Sequence, residues 1–254
     1  MRSLLMLDGK TILITGASSG IGAAAARLLA DTGANLMLAA RREDRLKELR
    51  ASLPHASNRI ALFVGDVCDT TFSEASVKAT LDAFGGLDGA FNNAGTLGEM
   101  GPVPDMSMET WNHVVATNLN SAFLAAKYQI PAMRERGGGS IVFTSSFVGH
   151  TIGFPGMAAY AAAKAGLVGL TQVLAVEHGP ENIRVNALLP GGTKTEMGGD
   201  DPAFREYIAG LHALKRMAEP QEIAKAAAFL LSDASSFVTG SAMLCDGGNS
   251  ISKG

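Results

Sequence analysis

Short apolar runs alternate with longer stretches of helical periodicity along almost the whole chain. Residues 11–15, 35–40, 60–64, 87–91, 140–144, 183–188 and 242–245 read as strands. Between them the pattern predicts helices over 20–32, 42–53, 72–84, 157–178 and 220–231, with a further long helix inside 107–136. The punctuation agrees. Gly33 suits a helix C-cap, Pro54 and Gly85-Gly86 stop helices, Ser107 starts one, and Pro220 suits a first turn. Most strand runs are continuously apolar rather than alternating, which a sheet covered on both faces requires. The expected fold is therefore α/β: one doubly wound, Rossmann-like parallel sheet of about seven strands, helices on both faces, in a single domain over 1–254. The loosest stretch is 191–201, with four glycines, and it opens an expected mobile substrate loop around 191–214.

Composition narrows the field of functions. A chain of 254 residues can bury one large core, and 47% apolar with 18% charged excludes a disordered chain. A net charge of −3, with no basic tail, argues against a nucleic-acid binder. Cys68 and Cys245 cannot make a disulfide framework or a metal cluster. None of His55, His113, His150, His178 and His212 pairs at metal-ligand spacing, so no metal is expected. The apolar run Leu4–Leu7 is too short for a signal peptide, and no apolar run approaches the length of a membrane span. A soluble, cytoplasmic protein is expected.

The first strand runs into Thr15-Gly16-Ala17-Ser18-Ser19-Gly20-Ile21-Gly22 and then a helix. Glycines there allow close backbone approach, and the helix N-terminus offers free N–H groups and a favourable dipole to a pyrophosphate. The spacing alone is weak, since 30 glycines would produce it by chance roughly 0.4 times per chain. Its position between a first strand and a helix makes it a dinucleotide signal. NAD would call for an acid about 20 residues on. The second strand instead ends Ala40-Arg41-Arg42, two guanidinium groups matched to a 2′-phosphate, so NADP is expected over NAD. The plainer alternative is a solvated start to a charged helix.

Tyr160 and Lys164 stand four apart on an expected helix and so share a face. A phenol titrates near 10, too high for proton exchange at neutral pH, and an adjacent ammonium would lower it. Phe143-Thr144-Ser145-Ser146 ends the fifth strand, at the carboxyl edge where such sheets bind ligands. No His–Asp partners or nucleophile elbow accompany the serines, so hydrogen bonding rather than nucleophilic attack is their expected part.

With these motifs in order, the chain resembles the short-chain dehydrogenase/reductase family along essentially its whole length. The resemblance rests on the glycine turn, Asp66-Val67, Asn92-Asn93-Ala94-Gly95, Asn118, Ser146, Tyr160 with Lys164, Pro190-Gly191, and the ending 238–248. It implies that Tyr160 protonates a carbonyl oxygen in reduction, or takes the proton in reverse. Lys164 would lower the phenol's pKa and hold the nicotinamide ribose. Ser146 would orient the substrate oxygen, and Asn118 would hold a water of a proton relay. Gly16, Ser18, Ser19, Gly20, Ile21 and Gly22 would receive the pyrophosphate. Asp66 and Val67 would contact adenine, Asn93, Ala94 and Gly95 the ribose, and Pro190, Gly191, Thr193 and Thr195 the nicotinamide end. The family's habit also implies a homotetramer. One departure is visible: 14 residues separate Ser146 from Tyr160, one more than usual in the family, an insertion placed around 148–154.

His150, Phe154, Met157 and Met197 are the candidate substrate-pocket residues, the last three making it apolar. Residues 198–201 and the following helix are a candidate lid, unless Asp200-Asp201 merely cap that helix. The expected activity is hydride transfer between NADP and a carbonyl or secondary alcohol. The alternatives are a dinucleotide-binding protein without turnover and a lyase or epimerase that oxidises its substrate only transiently.

Overall fold

The computed structural model describes residues 7–252; Leu4–Met6 of the short apolar run and the two ends of the expected 1–254 domain lie outside the described residues. Seven strands, β1 (Thr11–Thr15), β2 (Asn35–Ala40), β3 (Ile60–Val64), β4 (Gly89–Asn92), β5 (Gly139–Thr144), β6 (Ile183–Pro190) and β7 (Ala242–Cys245), form one sheet in the order β3-β2-β1-β4-β5-β6-β7. Every pairing is parallel. The chain leaves β1 in one direction and resumes at β4 in the other, so a crevice opens between their carboxyl ends.

Each strand feeds both faces. Along β1, Ile12 and Ile14 pack into the cluster under α1 (Gly20–Asp31), α2 (Glu43–Ala51) and α8 (Pro220–Leu231). Leu13 enters the opposite cluster with Phe143, Ala122 and Leu167, under α3 (Phe72–Phe84), α5 (Ser121–Glu135) and α6 (Ala158–His178). This is the two-faced burial that the unbroken apolar runs require. The fold class is as the sequence pattern predicts.

Three departures have local causes. Leu53, where the second helix was expected to end, lies beyond α2, which is followed by a short 3-10 segment at Pro54–Arg59. The long helix of 107–136 is two helices, α4 (Met108–Val115), capped by the Ser107 hydroxyl accepting from the Thr110 N–H, and α5, joined through a π-helical segment at Ala116–Asn120. A π turn accommodates an extra residue in a helix and is often found at functional sites; this one holds Asn118. Finally, α6 is long and apolar enough on average to cross a membrane, although no unbroken apolar run in it approaches that length. Here it is packed against the sheet, with Leu167, Leu174 and Ala175 in the core. Beyond β6, Asp201 accepts from the Ala203 N–H at 3.1 Å and so caps α7 (Pro202–Leu211).

Candidate active site

A cleft of about 760 Å³ runs along the carboxyl edge of the sheet, from the glycine turn past the β1–β4 crevice to α6 and α7. At one end Gly16 and Gly20 adopt positive φ, +66° and +51°, which glycine tolerates. A Cβ on Gly16 would stand 3.0 Å from the Ala94 backbone, so the turn can lie against the β4 loop only without a side chain there. Ser19 sits at the N-cap of α1 without capping it through its side chain, which leaves the first-turn N–H groups aimed at the cleft. An anionic group fits this cradle. Gly22 does not line the cleft as the sequence reading had it: a Cβ there would collide with the Gly16 carbonyl, so it packs turn against helix.

Around this cradle, Ser18, Ile21, Arg41, Arg42, Asp66, Val67, Asn93, Ala94 and Gly95 all face the cleft. Thr15 Oγ1 accepts from the Asn93 and Ala94 N–H groups at 3.1 and 3.2 Å, locking the β4 loop beside the turn. Arg41 lies 3.5 Å from the Asp66 carboxylate, which also accepts the Cys68 N–H. Although partial burial opposes it, the Cys68 N–H and Arg41 hold the Asp66 carboxyl below its ordinary value. Ala40 brings no carboxylate to this rim.

The other end is closed and polar. Lys164 is 3% exposed and donates to the Thr144 carbonyl at 2.6 Å. Its Nζ lies 5.6 Å from the centroid of the Tyr160 ring. Burial pushes the ammonium down to about 7 and pushes the Tyr160 phenol up, the latter opposed only by a hydrogen bond from Ser146. In this geometry burial and Ser146 are the causes of the phenol's shift. The helical spacing puts both groups on one face, but the amine is turned to the Thr144 carbonyl.

The two serines have separate partners. Ser145 donates to the Lys164 carbonyl at 2.7 Å, tying β5 to α6. Ser146 accepts from the Val148 N–H at 3.1 Å, and its hydroxyl favours the ionised form of the Tyr160 phenol. Asn118 is buried, with both amide hydrogens committed to the Thr96 and Val114 carbonyls and its Oδ1 accepting from Thr96 N–H. A Cβ on Gly95 would approach that Oδ1 to 2.8 Å, so glycine lets the loop pass close to it.

Phe154, Met157 and Met197 line the cleft beside Tyr160, but His150 does not and is exposed. Gly149, at φ +87° and pressed on the Ala161 carbonyl, turns the chain tightly there, and the His150 N–H bonds back to Phe147. Leu97, Met100, Phe147, Phe204, Ile208 and Met217 complete the apolar wall and went unread in the sequence. Phe204 and Ile208 stand one turn apart on α7, a spacing that marks a shared helix face. Above them Pro190, Gly191, Thr193 and Thr195 border the cleft, and the Gly192 N–H donates to the buried His212 ring at 3.0 Å. Among the described residues no cluster of metal-ligating side chains occurs.

A family model described as enoyl-(acyl carrier protein) reductase matches residues 16–250. The chain is 43% identical over 247 residues to the 2,5-dichloro-2,5-cyclohexadiene-1,4-diol dehydrogenase of Sphingobium indicum, covering 95% of this chain and 97% of that one. It is 37% identical over 244 residues to a cyclohexanol dehydrogenase of an Acinetobacter species, covering 94% of each. A crystal structure of a short-chain type dehydrogenase/reductase from Mycobacterium marinum superposes with a TM-score of 0.93 at 34% identity, over 98% of both chains.

Proposed function

From the premise that this chain belongs to the short-chain dehydrogenase/reductase family and is an oxidoreductase acting on CH–OH groups, we propose that it interconverts a carbocyclic secondary alcohol and its ketone, with NADP preferred over NAD. The observation that carries the reading is the single cleft that joins an anion cradle at one end to the Ser146–Tyr160 pair at the other, under an apolar wall. That wall suits a six-membered carbon ring, the kind of substrate named for both relatives.

When bound, a nicotinamide dinucleotide supplies or accepts the hydride. The glycine turn and the α1 N-terminus would hold its pyrophosphate, Arg41 and Arg42 the 2′-phosphate, Asp66 and Val67 the adenine, and Asn93–Gly95 with Lys164 the sugars. Pro190, Gly191, Thr193 and Thr195 would border the nicotinamide. In ketone reduction Tyr160 gives its hydroxyl proton to the carbonyl oxygen, and Ser146 hydrogen-bonds the same oxygen as charge develops on it. The Val148 N–H occupies one lone pair of Ser146, which leaves its proton for the phenol or the substrate. A phenol pushed up by burial is a held proton at neutral pH, so Tyr160 starts as the acid; alcohol oxidation requires that proton to be lost first. Both amide hydrogens of Asn118 are committed to Thr96 and Val114, so a relay water there would bond main chain or the remaining Oδ1 lone pair.

The proposal includes a homotetramer, carried by family resemblance, in the cytoplasm, with the glycine-rich loop around 191–214 moving over substrate. Absorbance at 340 nm (the reduced nicotinamide band) with cyclohexanone and NADPH tests the reading. Oxidation of NADPH supports it. Bound cofactor with no turnover across cyclic ketones and alcohols would instead favour a binding protein.

A further inference from the structure

The Arg42 guanidinium already has partners on all three of its nitrogens. It donates to Ser18 Oγ at 3.2 and 3.3 Å, to Ser19 Oγ at 2.7 Å, and to the Glu196 carboxylate at 2.8 Å. Glu196 belongs to the loop after β6, 154 residues away in sequence. Its carboxyl is held below the ordinary range by Arg42, with Arg45 and Ser19 adding to the effect. Next to it, Thr195 packs on Gly20 closely enough that a Cβ there would meet it at 3.0 Å. One anion thus sits in a fork built from an arginine and a serine hydroxyl, on the rim of the dinucleotide cradle.

Resting on the reading of this cleft as an NADP site, we propose that Glu196 is a specificity-determining residue: its carboxylate competes with the cofactor's 2′-phosphate for Arg42 and latches the loop when that phosphate is missing. Carboxylate and phosphate both match a guanidinium, and one fork cannot serve both fully. A 2′-phosphate displaces Glu196 and frees the loop tip; a cofactor with a plain 2′-hydroxyl leaves the latch shut. The two partners are 46% and 58% exposed, so the pair is a modest competitor, and NADP preference is what remains after it is overcome.

Calorimetric titration with 2′,5′-ADP and with 5′-ADP separates the ideas without turnover. Glu196→Gln is expected to tighten 2′,5′-ADP by about threefold to fivefold and leave 5′-ADP unchanged. In an Arg42→Ala background the same substitution is expected to do nothing, since the fork is gone. Equal tightening of both ligands, no change in either, or a gain that survives Arg42→Ala would overturn the proposal while leaving the cleft reading intact. Failure of the unaltered protein to bind either ligand would sink the cleft reading and this proposal together.

Discussion

The two ends of the cleft are built on opposite physical terms. At the reactive end Lys164 is almost wholly buried and Tyr160 partly so, and burial is the leading cause of the shift in both. At the adenosine end Arg41 is 71% and Arg42 46% exposed, and each faces a carboxylate. Exposed pairs of that kind are worth about 0–1 kcal/mol, so they exchange partners at little cost. Buried groups cannot. On the proposed reading, the chemistry lies among groups whose partners burial fixes, and cofactor choice among groups that exchange partners at little cost.

Breaking the buried end should have the largest effect. Lys164→Met is expected to cut turnover by at least about 10²-fold while raising stability at neutral pH. The sign follows from the titration: the fold lowers Lys164 from 10.5 to about 7, so between those values the unfolded chain holds a proton that the folded one expels. The penalty is full below about 7 and fades as pH rises toward 10.5. The gain in melting temperature over the unaltered protein should shrink accordingly in alkaline buffer. A destabilised variant at every pH would show that the bond to Thr144, not desolvation, decides the energetics.

The serines sharpen the contrast within that end. Ser146→Ala is expected to lower kcat by about 10²-fold, having lost the hydroxyl that would bond the substrate oxygen, whereas Ser145→Ala should mainly cost stability by about 1 kcal/mol. Steady-state rates and thermal melts on both variants check this; the reverse assignment would move the substrate oxygen to the other hydroxyl.

Much of this architecture was legible in the sequence because its signals are local. The parallel strands announce themselves as unbroken apolar runs, and the glycine turn and the Tyr160–Lys164 spacing each lie within one element. What was not legible depends on contacts between distant segments. Periodicity over 107–136 cannot register five π-helical residues at Ala116–Asn120, although they set where Asn118 points. The tight turn at Gly149 removes His150 from the pocket, and no composition signal reveals the direction of a single side chain. The Lys164–Thr144 bond joins α6 to β5, and Arg42 meets Glu196 across most of the chain. Spacing likewise assigns Tyr160 and Lys164 a shared face, while only packing reveals how much water is excluded around them.

At the exposed end smaller effects are expected. Arg42→Ala should reduce the ratio of NADP to NAD efficiency by about tenfold, read as kcat/KM for each cofactor. A ratio that stays put would place the 2′-phosphate elsewhere. The pH profile of the unaltered enzyme links the two ends. With the phenol pushed up, alcohol oxidation should climb by about tenfold per pH unit on the alkaline side of neutrality, while ketone reduction stays flat. Parallel profiles in the two directions would remove Tyr160 from the proton's path.

The most direct test is Tyr160→Phe, which deletes one hydroxyl and keeps the ring. NADPH affinity, followed by its fluorescence, and reduction of a cyclic ketone should be measured on the same sample. The account predicts unchanged cofactor binding with turnover down by about 10³-fold. Turnover close to that of the unaltered enzyme would contradict it.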